Sequence, residues 1–120
     1  MNGQVDGQGR ALLSITVRDA ATGASAQWDA WIDTGFTGDL VVPRRLLAAL
    51  GSQPSSTVTG ILADGSQAAL ASYSFLIEWF GQSRAIEVIA NDGACPLLGV
   101  GLLTGHHLTI DYQTGPVTLL

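Results

Sequence analysis

Apolar and polar residues alternate from residue 11 to residue 19, with Leu13, Ile15 and Val17 on one face. That period of two predicts a strand. Residues 20–26 are small and include Gly23, a turn, and residues 27–32 predict the second strand of a hairpin that runs into Asp33. Residues 40–42 form a continuous apolar run, short enough for a buried strand. Pro43 suits the first position of a helix, residues 44–50 continue it, and Gly51 ends it. After a loop at 53–56, residues 57–62 and 67–71 flank Asp64-Gly65, a strong signal for a tight hairpin turn. Residues 73–80 and 84–90 predict another hairpin across Gly81-Gln82, followed by a loop at 91–94. Residues 99–104 suit one or two helical turns, and residues 108–112 and 117–120 are strands around Gly115-Pro116. Residues 1–10, polar and glycine-rich, are expected to be a flexible tail. Many short strands with one or two short helices predict one all-β domain over residues 11–120, closed or partly closed into a barrel.

Composition narrows the classes. At 120 residues the chain holds one domain with a core. Hydrophobic residues make up 47% and charged residues only 12%, which excludes a disordered chain. So low a charge hints at apolar surface covered by another subunit, and Trp28 and Trp31 suit the core or that interface. Five arginines, no lysine and ten acidic residues leave a formal net charge of −5. No basic stripe exists, which argues against a nucleic-acid partner. Cys95 is the only cysteine, so no internal disulfide forms and a reducing compartment fits. Residues 1–10 lack the apolar stretch of a signal peptide, and no apolar run is long enough to cross a bilayer. The expectation is a soluble cytoplasmic protein with no membrane partner.

The chemistry concentrates at Trp31-Ile32-Asp33-Thr34-Gly35-Phe36-Thr37-Gly38. An apolar strand delivers one carboxylate to a tight turn, where a hydroxyl and a glycine follow it. Alone, an Asp-Ser/Thr-Gly tripeptide arises by chance in about one chain of this length in twenty. The context sharpens it, because a hairpin leads into Asp33-Thr34-Gly35 and another leads towards Leu97-Leu98-Gly99. Each is followed by a candidate helix, which suggests two similar halves with their glycine turns packed together.

This arrangement resembles the retropepsin-like aspartic proteases, the single-motif relatives of pepsin found in retroviruses and in bacteria. The resemblance spans about residues 12–120 and rests on Ile32-Asp33-Thr34-Gly35, Leu97-Leu98-Gly99 with Leu102-Leu103, and Leu108-Thr109-Ile110-Asp111. It implies an acid-protease barrel with one half-site per subunit, a homodimer, a peptide or protein substrate, and no metal or cofactor. Metal-free peptide hydrolysis needs a base to activate water and an acid to protonate the carbonyl or the leaving amine. Two carboxylates sharing a proton serve as both. One chain offers one such Asp, so a twofold axis must bring Asp33 from each copy together. By the resemblance Thr34 braces the two turns across the axis and Gly35 lets substrate backbone approach. Ile61-Leu62-Ala63-Asp64-Gly65 is then the flap, Asp39 reaches towards substrate backbone, and Leu97 packs beside the active turn. Ile32, Val42, Ile61 and Leu97 are the expected apolar lining of the cleft.

The departures carry equal weight. Many viral members place an Arg after the second-half Gly, where this chain has Val100. The tip Ala63-Asp64-Gly65 is less glycine-rich than viral flaps. Residues 1–10 show no match to the viral dimer-sealing strand, which leaves residues 117–120 to carry most of such a contact. Simpler readings exist for several positions. Asp64-Gly65 is also an ordinary hairpin turn, Asp39 a solvated loop carboxylate, and Asp111 a strand-end residue bonded to its own turn. His106 and His107 would point to opposite faces of a strand, which argues against shared metal ligation. Cys95 has no basic neighbour in sequence and reads as a packed residue. Two rivals to the protease remain: a catalytically weak or inactive dimeric peptide-binding or assembly module, and a monomeric barrel binding a small ligand.

Overall fold

Every apolar alternation in the sequence has become a strand, as has the continuous apolar run at 40–42, and two further strands exist that no apolar pattern marks. The computed structural model describes all 120 residues. Strand β1 (Asn2–Val5) leads into β2 (Ala11–Asp19), which forms a hairpin with β3 (Ser25–Ile32). Beyond the turn at Asp33 come β4 (Leu40–Pro43) and helix α1 (Arg44–Ala49). The second hairpin joins β5 (Ser56–Ile61) to β6 (Gln67–Trp79), and β7 (Gln82–Asn91) returns along β6. The chain closes with β8 (Leu97–Leu98), helix α2 (Val100–Leu103), β9 (Leu108–Ile110) and β10 (Pro116–Leu119).

Strands β2, β3, β8, β4, β7 and β6 hydrogen-bond in that order. The far half of β6 then returns to β2, with Ile77 opposite Val17, and closes a ring of six strands. Inside it the inward residues form one cluster, including Leu13, Ile15, Ile32, Val42, Phe75 and Val88. Each such side chain stabilises the fold by about 2 kcal/mol when it leaves water. A ribbon of β1, β10 and β9 extends from the outer side of β2. Its own apolar residues, Val117 and Leu119, join the same core.

Three expectations change. Residues 2–5 are not a tail: β1 pairs with both β2 and β10, with Gly3 opposite Leu13 and Val117. This strand is held by its backbone, and its side chains are exposed or half-buried, so no apolar pattern announces it. Residues 67–71 and 73–80 are one strand of 13 residues. Ser72, buried at 3%, sits where two were expected to meet and bridges Ser56 of β5 to Ile89 of β7. Finally, Leu97–Leu98 is a strand of its own. Helix α1 buries Leu47 and ends before Gly51 (φ +71°), as its sequence predicts.

Candidate active site

Strand parity builds the site. In β3, Ala30 and Ile32 turn inward, so Trp31 and Asp33 lie on the outward side. Strand β8 is laid between the two strands that flank the Asp33 turn. It runs parallel to β3, with Ile32 opposite Leu98, and antiparallel to β4, with Leu40 opposite Leu98. The Asp33 N–H donates to the Leu98 carbonyl at 2.9 Å, which ties the acid to the second half of the chain. Its carboxylate Oδ1 accepts the Gly35 N–H at 2.9 Å. Oδ2 accepts no hydrogen bond within the chain.

The rest of the turn is carried by the start of α2. Gly99, Val100 and Gly101 donate their N–H groups to the carbonyls of Asp39, Phe36 and Gly38 at 2.9, 2.7 and 2.9 Å. A Cβ at position 99 would collide with the Gly38 carbonyl and lie 2.5 Å from Phe36 Cδ2, so only glycine fits. Support that the resemblance assigns to an Arg thus comes here from backbone donors. Two other arginines hold neighbouring segments. Arg84 donates to the Gly101 carbonyl at 3.1 Å. Arg45 reaches the carbonyls of Gly93 and Ala94 at 3.0 and 2.6 Å, clamping the loop that feeds β8.

Two hollows flank the turn. One of about 310 Å³ is lined by Trp31, Ile32, Asp33, Thr34 and Leu97. The other, a groove of about 600 Å³, begins at Gly35 and runs beneath the β5–β6 hairpin. Val41, Val58, Ile61, Leu62, Leu70 and Ile89 are its apolar walls. Ile61 and Leu62 therefore line the groove, whereas Ala63, Asp64 and Gly65 form the hairpin tip. There Asp64 Oδ1 accepts the Ser66 hydroxyl at 2.6 Å and the Ser66 N–H at 2.8 Å. Those bonds, the hydroxyl's first, hold the Asp64 carboxyl below the usual carboxylate range.

Other candidates fall elsewhere. Val42 is wholly buried in the core and its neighbour Val41 takes the place in the groove, a displacement of one residue and hence of one face. Asp39 is outside the groove: its Oδ2 accepts the Glu87 N–H at 3.1 Å, and it lines a separate hollow of about 360 Å³. Asp111 bonds its own turn, accepting from Thr114 Oγ1 at 2.7 Å and from the N–H groups of Gln113 and Thr114. His106 accepts the Trp79 indole N–H at 3.3 Å and stacks on Phe80. Arg10 Nη1 lies 3.8 Å from Cys95 Sγ, a basic neighbour that sequence distance hides. No three His, Cys, Asp or Glu side chains gather as metal ligands, and no helix is long and apolar enough to cross a membrane. Sequence reasoning missed Trp31 in the first hollow and, in the groove, Val58, Leu70, Glu87, Ile89 and Asn91 among others. Parity was the available signal for Trp31, two residues before Asp33 on an alternating strand.

No protein-family model matches the chain, and no curated protein matches it in sequence. Solved structures do. A retropepsin-like aspartic protease from Rickettsia conorii aligns with a TM-score of 0.66 at 16% identity, covering 99% of this chain and 88% of that one. The EIAV protease, complexed with the inhibitor HBY-793, aligns with a TM-score of 0.57 at 15% identity over 82% of this chain and 88% of that one. At these identities the likeness is one of fold, and the fold is retropepsin-like.

Proposed function

We propose that this chain, folded as the retropepsin-like proteases are, is an aspartic endopeptidase active as a homodimer. The observation that carries the reading is Asp33 itself. Its main chain is fixed by Leu98, one carboxylate oxygen is oriented by Gly35, the other accepts no hydrogen bond within the chain, and the residue lines a hollow of about 310 Å³. A second Asp33 across a twofold axis completes the pair. One carboxylate then takes a proton from water while its protonated mate donates to the peptide carbonyl and, later, to the leaving amine. The working pair holds one proton between its two carboxylates, so activity belongs at acid pH. Thr34 braces the turns across the axis, Gly35 admits substrate backbone, and the β5–β6 hairpin closes over an extended, largely apolar peptide as a flap.

Hydrogen-bond parity supports β9 as the dimer edge. Strand β10 is paired on both sides, by β1 and by β9, and has no ladder edge to offer. His107 and Leu120 exchange N–H···O bonds of 2.9 and 3.0 Å, and Asp111 donates to the Pro116 carbonyl at 3.0 Å. By the alternation of an antiparallel ladder, Leu108 and Ile110 turn their backbone groups outward. An unpaired edge of this kind accepts a second copy, which extends the ribbon across the axis.

The test is cleavage of an unfolded protein at acid pH. Wild type cuts it, a statine-type inhibitor blocks the cut, and Asp33→Asn lowers the rate by at least about a thousandfold. Cleavage that survives Asp33→Asn refutes the mechanism. A dimeric peptide-binding or assembly module is the second reading, supported by the tip carboxylate of Asp64 being committed to its own turn. It predicts that wild type and Asp33→Asn bind peptides equally and that neither cuts them.

A further inference from the structure

The groove is lined by apolar side chains, by the neutral polar Thr37, Thr59 and Asn91, and by one charged residue. In β7, Ile86 and Val88 pack into the core, and Glu87, Ile89, Ala90 and Asn91 line the groove. Glu87 is the only ionisable residue lining the groove. It is exposed, and the two ion pairs of the chain, Arg10–Asp6 and Arg44–Asp92, leave it unpaired. Its main chain is nevertheless fixed: the N–H donates to Asp39 Oδ2 at 3.1 Å, and the residue stands opposite Ser74 of β6. Glu87 also lines the adjoining hollow of about 360 Å³, whose polar residues include Asp39, Ser55 and Ser74 and which has no Arg or His in its wall. A carboxylate therefore stands where the groove passes into a polar recess, with no Arg or His in the wall of either and the nearby Arg84 donating to the Gly101 carbonyl.

Resting on the protease reading, we propose that Glu87 makes the site selective for extended peptides carrying Lys or Arg at one position away from the scissile bond. The apolar part of the peptide fills the groove, and its ammonium or guanidinium donates to the Glu87 carboxylate at the edge of the polar recess. A neutral side chain there gains no ion pair, and an acidic one meets repulsion. The formal charge of −5 for the whole chain adds an attraction for cationic peptides during approach.

Binding and cleavage are read separately. Fluorescein-labelled apolar decapeptides carry a single Lys, Gln or Glu at successive positions, and their binding to the Asp33→Asn protein is followed by anisotropy at low salt. At one position the Lys peptide is expected to bind about fivefold tighter than the Gln peptide, a preference that shrinks as salt is raised. Glu87→Gln brings the ratio to about one, and Glu87→Lys turns it towards the Glu peptide. Equal binding of Lys and Gln peptides at every position overturns the proposal, as does a Lys preference that persists in Glu87→Gln or an absence of peptide binding. The same peptides are then offered to the chain with Asp33 intact. Cleavage without a Lys preference leaves the protease standing and removes the role of Glu87. A Lys preference without cleavage at any pH does the reverse.

Discussion

Asp33 is held in place by its neighbours' backbones, and one of those neighbours permits no side chain at all. Gly99 packs against the Gly38 carbonyl and the Phe36 ring, so Gly99→Ala must push the turn after Asp33 aside. The expected cost is about 1–3 kcal/mol, seen as a lower midpoint in denaturant melts, with proteolysis lost even where the protein stays folded. Asp19 shows the same dependence on neighbours in the core. Burial pushes its carboxyl up, but the Ser52 hydroxyl at 2.6 Å and the N–H groups of Ala21 and Thr22 outweigh it and hold it below the usual range. At this scale the catalytic candidate was legible because Asp-Thr-Gly is a local string. Asp39 and Glu87 were not, since what they do is decided by a contact between residues distant in sequence.

At the scale of elements, the outward edge of β9 invites a direct test. Ile110→Pro deletes one outward N–H while the exchange between His107 and Leu120 is left in place. Sedimentation is expected to show a dimer in wild type and a monomer in the variant at the same concentration. Proteolysis should fall with it, and circular dichroism checks that the strands remain. A variant that still sediments as a dimer moves the interface elsewhere. Elements with apolar alternation, β2 above all, could be read from the chain because burial of one face dictates period two. Strand β1 could not, because Asn2, Gly3 and Gln4 contribute backbone pairing and little apolar surface. Strand β8 escaped for the opposite reason. Two residues, Leu97 and Leu98, are too few to show any period, yet they sit between β3 and β4.

For the whole molecule, acid is both the medium of the proposed chemistry and a threat to the fold. Asp6, Asp19, Asp64 and Asp111 all titrate below their ordinary value of 3.8. A carboxyl lowered on folding contributes stability above its unfolded value and loses it as pH falls through the folded one. Thermal melts should therefore show a plateau above about pH 5 and a falling midpoint below about pH 4. A midpoint that rises below pH 4 would contradict this account of the four carboxylates. The order of the ring has a consequence in time as well. A ribosome makes Asp33 early and Leu98 late, yet the N–H of the first waits for the carbonyl of the second. Until residue 97 has emerged, β3 and β4 have nothing between them, and the turn they carry has no floor. A chain cut short before that point holds the acid and cannot aim it.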